Sequence, residues 1–189
     1  MCGIAGYMGE ADKKTLSKML TATAHRGPDD RGMFVHEDVG LGQNRLSIID
    51  ISPHGKQPMF DSEKTLAIVF GGEIYNYLDL KRQLSEYTFR SKTDTEVLLY
   101  AYKKWGVRCV EKLNGMFHFV IYDLKKGLLF GARDRIGEKP LKYYVDKNTF
   151  AFASELKGLL PALKGKPELD PIAIHHYDIA VCPGPIYRI

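Results

Sequence analysis

Cysteine is scarce in this chain, and its few cysteines form no pattern. The 189 residues contain three, Cys2, Cys109 and Cys182, an odd number without close spacing. Disulfide-rich folds and cysteine-rich zinc sites both need more cysteines at shorter intervals. The sequence therefore argues against a disulfide framework and favours a reducing compartment.

Long apolar runs and blocks of like charge are also missing. No segment approaches the roughly 20 apolar residues that a membrane helix needs, and no signal-peptide core follows Met1. The net charge is only +4, and the 27 Lys and Arg are interleaved with 23 Asp and Glu. These absences argue against a membrane protein and against a nucleic-acid-binding surface. We therefore expect a cytoplasmic protein.

Metal-binding and nucleotide-binding patterns are absent as well. The six histidines are scattered, and no two of them have the i, i+4 spacing of a helical metal site. No glycine-rich phosphate loop with its lysine and hydroxyl residues occurs. The sequence predicts no metal and no cofactor for this domain.

The chain does contain alternating groups of short apolar segments and amphipathic segments. Its length suits one domain over residues 1–189. Strands are predicted in GIAGYM, VGLGQNRLSII, TLAIVFGG, MFHFVIYD, GLLFGARD and FAFAS, and helices in KKTLSKMLTATA, TDTEVLLYAYKKWG and ELKGLLPAL. A hairpin turn is predicted at Lys125, Lys126 and Gly127. Because strands and helices come in groups, the pattern favours an α+β layered fold.

Cys2 is the candidate nucleophile, since it directly follows the initiator Met1. Removal of Met1 would leave a residue that carries both a thiol and a free α-amine. An α-amine with a pKa of about 7.7–8.0 can accept and return a proton near neutrality. The terminal position would therefore supply the base that a weakly ionised thiol needs.

A series of motifs places Cys2 in a known context. The motifs are HRGPDDRG, RLSIIDIS, GGEIYNY, SKTDTEV, LNGMF, RDRIGEKPL and FASELKGLL, in this order between His25 and Leu160. Together with the N-terminal Cys-Gly, they closely resemble the glutaminase domain of glutamine-dependent asparagine synthetases, within the class II glutamine amidotransferases. The resemblance extends from Cys2 to about Pro185. It implies a four-layer αββα sandwich with two antiparallel sheets between helical layers.

The resemblance also implies a role for each motif. Arg45 would bind the α-carboxylate of glutamine, a task that suits a planar guanidinium. Asp94 would bind the substrate ammonium, and Gly72 would provide a backbone N–H for the oxyanion. The remaining substrate-binding residues implied in this way are Leu46, Ser47, Ile48, Ile49, Gly71 and Glu73. Cys2 would attack the amide, ammonia would leave, and water would release glutamate.

Several residues depart from the family pattern: Gly71, His118, and more mildly Gln43, Asn44, Ile136 and Glu138. The oxyanion hole of the family includes an asparagine side chain in an Asn-Gly-Glu triplet, whereas this chain reads Gly71-Gly72-Glu73. Loss of one such donor typically lowers kcat by about 10²–10³, so Gly71→Asn is expected to raise turnover. His118 stands in LNGMFHF where a small residue is common, and the sequence offers no functional explanation for it.

The sequence of this domain does not identify the acceptor of the ammonia. In the family, a downstream synthetase domain binds ATP, Mg²⁺ and aspartate. This chain stops at Ile189 without a closing helix, so we expect that it is an excised glutaminase fragment. Alternatives are an amidating enzyme with another acceptor, or a weakly active or non-catalytic glutamine-binding domain. The expected partners are L-glutamine and the downstream domain, and a homodimer is compatible with the sequence.

Overall fold

The computed structural model describes residues 2–47, 52–165, 167, 168 and 170–172. Cys182, Ile48 and Ile49 lie outside these residues. The strands are β1 Gly3–Gly9, β2 Asp30–His36, β3 Val39–Arg45, β4 Met59–Phe60, β5 Leu66–Ile74, β6 Gly115–Asp123, β7 Leu128–Arg133, β8 Lys142–Val145 and β9 Thr149–Ala153. The helices are α1 Lys13–Ala22, α2 Tyr77–Gln83, α3 Asp94–Trp105 and α4 Leu156–Leu159, with short 3₁₀ segments at Ala24–Arg26, Pro53–Gly55, Gly106–Lys112 and Leu160–Ala162.

The strands form two antiparallel sheets. The five-stranded sheet has the order β2-β3-β1-β9-β8, and the four-stranded sheet has the order β4-β5-β6-β7. The first strand of the chain is therefore the central strand of its sheet, paired with β3 on one side and with β9 on the other. This arrangement fixes the backbone directly behind Cys2.

Three apolar clusters separate four layers. The first joins α1 and α4 to the five-stranded sheet, the second fills the space between the two sheets, and the third joins the four-stranded sheet to α2 and α3. Representative members are Leu16, Leu20 and Leu159 in the first, Ile4, Val69 and Phe152 in the second, and Ile68, Leu99 and Phe119 in the third. The expected αββα sandwich is confirmed.

Strand β5 shows how the sequence produces these layers. Successive side chains of a strand point to opposite faces, so Ala67 and Val69 face the other sheet while Ile68 and Phe70 face the helices. Both faces are buried, which explains the continuous apolar run from Leu66 to Phe70.

Helix α3 begins where its capping signal predicts. The Thr93 side chain accepts a hydrogen bond from the Glu96 N–H at 3.3 Å. The Glu96 carboxylate does not complete the reciprocal capping box; it accepts bonds from the N–H groups of Arg90 and Ser91 and from the Ser91 hydroxyl. This local network fixes the start of α3, and with it Asp94.

The predicted elements agree with the structure in six strands, in the β6–β7 hairpin and in helices α1 and α3. The strand predicted in VGLGQNRLSII ends earlier, at Arg45. The predicted helix ELKGLLPAL is corrected, because only Leu156–Leu159 is α-helical and the segment with Pro161 is a 3₁₀ turn. Strands β2, β4 and β8 and helix α2 were not predicted. β2 is an edge strand in which half-buried residues alternate with exposed ones, and its only apolar run, Met33 to Val35, is short. No helix in the described part of the chain has the length and apolarity to span a membrane.

Candidate active site

Cys2 lies immediately before β1, beside the end of β3. The pairing of Gly3 with Asn44 brings it next to Leu46. The Leu46 N–H donates to the Cys2 sulfur at 3.3 Å, and the thiol donates to the Leu46 carbonyl at 3.4 Å. The Cys2 carbonyl accepts a hydrogen bond from Arg26 Nε at 3.2 Å, and Arg26 is in turn held by Glu155 at 2.9 Å. The nucleophile candidate is therefore fixed at its sulfur and at its backbone.

The surroundings of Cys2 favour the neutral thiol. Burial raises the pKa of the Cys2 thiol above its ordinary value, while the Leu46 N–H and the positive charge of Arg45 act in the opposite direction. The thiolate is the reactive form of cysteine. Catalysis at this position therefore needs a nearby base, which the α-amine of Cys2 itself would provide.

A cavity of about 100 Å³ opens at the Cys2 sulfur. It brings together residues from β3, β5, β6 and the start of α3 that are far apart in the sequence. Of the residues implied by the resemblance, the cavity wall includes Cys2, Arg45, Leu46, Gly72, Glu73 and Asp94. The wall does not include Gly71 or Ser47, and Ile48 and Ile49 lie outside the described residues. The Ser47 N–H donates instead to an Asp29 carboxylate oxygen at 2.8 Å.

Arg45 is buried at the end of β3, where its guanidinium lines the cavity. Its Nη1 donates to the Ser52 carbonyl at 3.2 Å, which orients the side chain. A guanidinium has five N–H donors in a planar fork, and this fork matches a carboxylate. The position therefore suits recognition of a small acid.

Asp94 also lines the cavity, and its carboxylate supplies a charge of opposite sign to that of Arg45. It is the first residue of α3, and its Oδ2 accepts a hydrogen bond from the Ile74 N–H at 2.9 Å. Burial, together with the nearby Glu73 charge, raises the Asp94 pKa to about 6 against the hydrogen bond from Ile74. Burial also raises the Glu73 pKa, and the positive charge of Lys139 opposes that change. Both carboxyl groups line the cavity, and their negative charge suits an ammonium ligand.

Gly72 lines the cavity, and Gly71 precedes it in β5; different contacts require a glycine at each position. Gly72 has a φ of +143°, and a Cβ there would lie 2.1 Å from the Met116 carbonyl oxygen. Gly71 faces His118 across the β5–β6 ladder, and a Cβ at Gly71 would lie 2.6 Å from His118 Nε2. Gly71 and His118, two of the departures from the family pattern, are therefore neighbours across the β5–β6 ladder.

Several cavity residues were not assigned a role from the sequence. Gln57 connects two walls, because its Oε1 accepts from the Phe70 N–H at 2.6 Å and its Nε2 donates to Thr95 Oγ1 at 3.2 Å. Gln43 Nε2 donates to the Phe70 carbonyl at 2.8 Å. A glutamine inside the fully buried strand β3 was an available signal for Gln43. Lys139 lies within a quoted motif, but Gln57 has no sequence signal.

The chain matches known proteins over almost its whole length. Residues 1–186 match the family described as "Glutamine amidotransferase domain". A putative asparagine synthetase (glutamine-hydrolyzing) of Methanocaldococcus jannaschii is 46% identical over 181 residues, which cover 85% of this chain and 35% of the relative. Asparagine synthetase 3 of Bacillus subtilis is 40% identical over 177 residues, which cover 88% of this chain and 29% of the relative. This chain therefore spans about a third of the length of these relatives.

A solved structure shares the fold. The glutamine phosphoribosylpyrophosphate amidotransferase of B. subtilis superposes with a TM-score of 0.71 at 21% sequence identity. The match covers 84% of this chain and 43% of that one. At this level of identity the likeness concerns the fold and not the individual residues.

Proposed function

The chain belongs to the glutamine amidotransferase domain family, and we propose that it hydrolyses L-glutamine to glutamate and ammonia with Cys2 as the nucleophile. The observation that supports this proposal is one cavity that is lined by Cys2, Arg45 and Asp94 together. An α-amino acid carries one carboxylate and one ammonium. Arg45 and Asp94 provide the opposite charges, and Cys2 is left for the side-chain amide.

The proposed reaction begins with proton transfer from the thiol to the free α-amine of Cys2. The thiolate attacks the amide carbon of glutamine, and the Gly72 N–H stabilises the resulting oxyanion. The ammonium of Cys2 then gives its proton to the leaving nitrogen as the C–N bond breaks, which releases ammonia and leaves a thioester. Water hydrolyses the thioester to glutamate and restores the thiol.

The ammonia acceptor is part of the same proposal. The asparagine synthetase relatives are about three times as long as this chain, so we propose that a downstream synthetase domain uses the ammonia to amidate ATP-activated aspartate. ATP and Mg²⁺ would bind in that downstream domain. A different carboxylate acceptor is the alternative. Cytoplasmic location and a homodimer remain predictions.

The decisive experiment measures glutamate release from glutamine by protein whose N-terminus has been defined by mass spectrometry. Protein that begins at Cys2 should turn over, and protein with a residual N-terminal extension should not, until a protease exposes Cys2. Cys2→Ala should lower turnover by several orders of magnitude. Cys109→Ala is the matched control, since Cys109 is buried in the third cluster, and it should retain activity.

A non-catalytic glutamine-binding domain is the second candidate, and Gly71 is the observation that favours it. Processed protein that binds glutamine without releasing glutamate, and that resists a glutamine-like electrophile, would support this candidate and contradict the first. Asparagine formation from aspartate, ATP and glutamine by the full-length protein would test the acceptor separately.

A further inference from the structure

His118 is a buried histidine that the proposed reaction does not use. It lies in β6, it is fully buried, and its ring extends from the four-stranded sheet toward the five-stranded sheet. Its Nε2 lies 3.3 Å from the Ser154 hydroxyl, directly after β9. The lack of a side chain at Gly71 leaves room for the ring, since a Cβ there would lie 2.6 Å from Nε2. His118 therefore connects the two sheets near the candidate active site.

Ser154 connects His118 to Ile4 at the start of β1. The Ile4 N–H donates to Ser154 Oγ at 2.8 Å, and the Ser154 N–H donates to the Ile4 carbonyl at 2.9 Å. These two bonds continue the β1–β9 ladder one position beyond the pairing of Ala5 with Ala153. Ile4 is two residues from Cys2. The orientation of the Ser154 hydroxyl thus affects the last paired residues before the nucleophile.

The protonation state of His118 determines what it can do in this position. Burial, with the charges of Arg26 and Lys139, lowers the His118 pKa to about 3 against the opposite effect of Asp134. The imidazole is therefore neutral. Nδ1 has no hydrogen-bond partner within the described part of the chain, and a bare lone pair there costs less than an unpaired N–H. We therefore assign the proton to Nε2, which donates to Ser154 Oγ.

We propose that His118, whose ring fills the space that Gly71 leaves open, is a positioning residue for Cys2. By donating a hydrogen bond to Ser154, it holds the start of β1 and thereby aligns the Cys2 thiol in the cavity. This inference rests on the proposed glutaminase function. Misplacement of a reacting group by about 1 Å can cost about 100-fold in rate. Loss of the hydrogen bond should therefore lower kcat and leave the glutamine site, formed by Arg45 and Asp94, nearly intact.

The test compares His118→Leu with His118→Gln, because the glutamine amide can donate from nearly the same position as Nε2. His118→Leu should lower kcat for glutamine between about 10-fold and 100-fold with KM changed less than about twofold. His118→Gln should restore most of kcat. Ser154→Ala should lower kcat by a similar factor to His118→Leu. The double variant should have a kcat no lower than that of either single variant, since both changes remove the same His118–Ser154 hydrogen bond.

The second measurement is the rate at which iodoacetamide alkylates Cys2, with the modified residue located by peptide mass spectrometry. His118→Leu and Ser154→Ala should change this rate in parallel, and His118→Gln should not. If the leucine variant fails to fold, the smaller Ser154→Ala change carries the test.

Equal impairment by leucine and glutamine, unchanged kcat in His118→Leu or Ser154→Ala, or full additivity of the two changes would overturn the inference. Absence of glutamate release by the wild-type protein would refute the proposed function instead, and the alkylation rates would still decide the positioning role.

Discussion

The contact between Gly71 and His118 makes a quantitative prediction for the stability of the fold. In Gly71→Ala the new methyl group would lie 2.6 Å from His118 Nε2 and 3.2 Å from Cε1, both closer than ordinary van der Waals contact. His118 is fully buried between two sheets, so the ring has little room to move. Overpacking of this kind typically costs about 1–3 kcal/mol.

The prediction is specific because the loss in free energy of unfolding caused by Gly71→Ala should depend on the presence of the His118 ring. In a His118→Ala background the methyl group would enter the space that the ring has vacated, and Gly71→Ala should become neutral or stabilising. The four proteins of this cycle should give a coupling free energy of about 1–3 kcal/mol, measured by urea unfolding at pH 7. For a chain of this size, Gly71→Ala alone should lower Tm by about 2–12 °C.

Gly131→Ala is the matched control, on the neighbouring strand β7. A Cβ there would make ordinary contact at 3.4 Å with Val120 Cγ2, so its effect should be small and should add to that of His118→Ala. A Gly71→Ala cost that is the same in both backgrounds would refute the steric argument.

The same geometry revises the expectation for Gly71→Asn. From the sequence, this substitution should restore a missing oxyanion donor and raise turnover. In the structure its side chain would meet the His118 ring, so we expect no gain in the wild-type background. The gain should appear as faster glutamate release by Gly71→Asn with His118→Ala than by His118→Ala alone.

Two further predictions concern the substrate-binding charges. Because the Asp94 pKa lies at about 6, Asp94 is charged above this pH and neutral below it. The value of kcat/KM for glutamine should therefore fall as the pH drops below about 6. Asp94→Asn should lack this decrease at acid pH and should show a higher KM. An unchanged decrease in Asp94→Asn would assign it to another group. Arg45→Lys replaces a planar fork by a single ammonium, so KM should rise about 10–100-fold while kcat changes little; a lower kcat at unchanged KM would place Arg45 in the chemical step.

Local signals predicted a large part of this fold. The buried strands β1, β5 and β6 have long apolar segments, and the Thr93 cap and Gly106 bound α3 as expected. The edge strand β2 was missed because polar residues flank its short apolar run, and β8 was missed because it has only 4 residues. α2 was missed although Leu80 is buried, because the helix has only 7 residues and several of them are polar and exposed.

The sequence supplied individual candidate residues for the site but not the contacts between them. The resemblance supplied Cys2, Arg45, Gly72 and Asp94, and the structure places all four at one cavity. It could not supply the Gly71–His118 contact. The two residues are 47 positions apart and meet only through the register of β5 on β6, which depends on the packing of both sheets.

The central position of β1 has a consequence for the order in which this protein can assemble. Its neighbours are β3 and β9, and β9 ends at Ala153. β1 must therefore wait for β9, about 140 residues later in the sequence, before both of its edges are paired. A chain truncated before Thr149 would expose one long apolar edge of β1, which favours aggregation, and its thiol would have no finished surroundings in which to react.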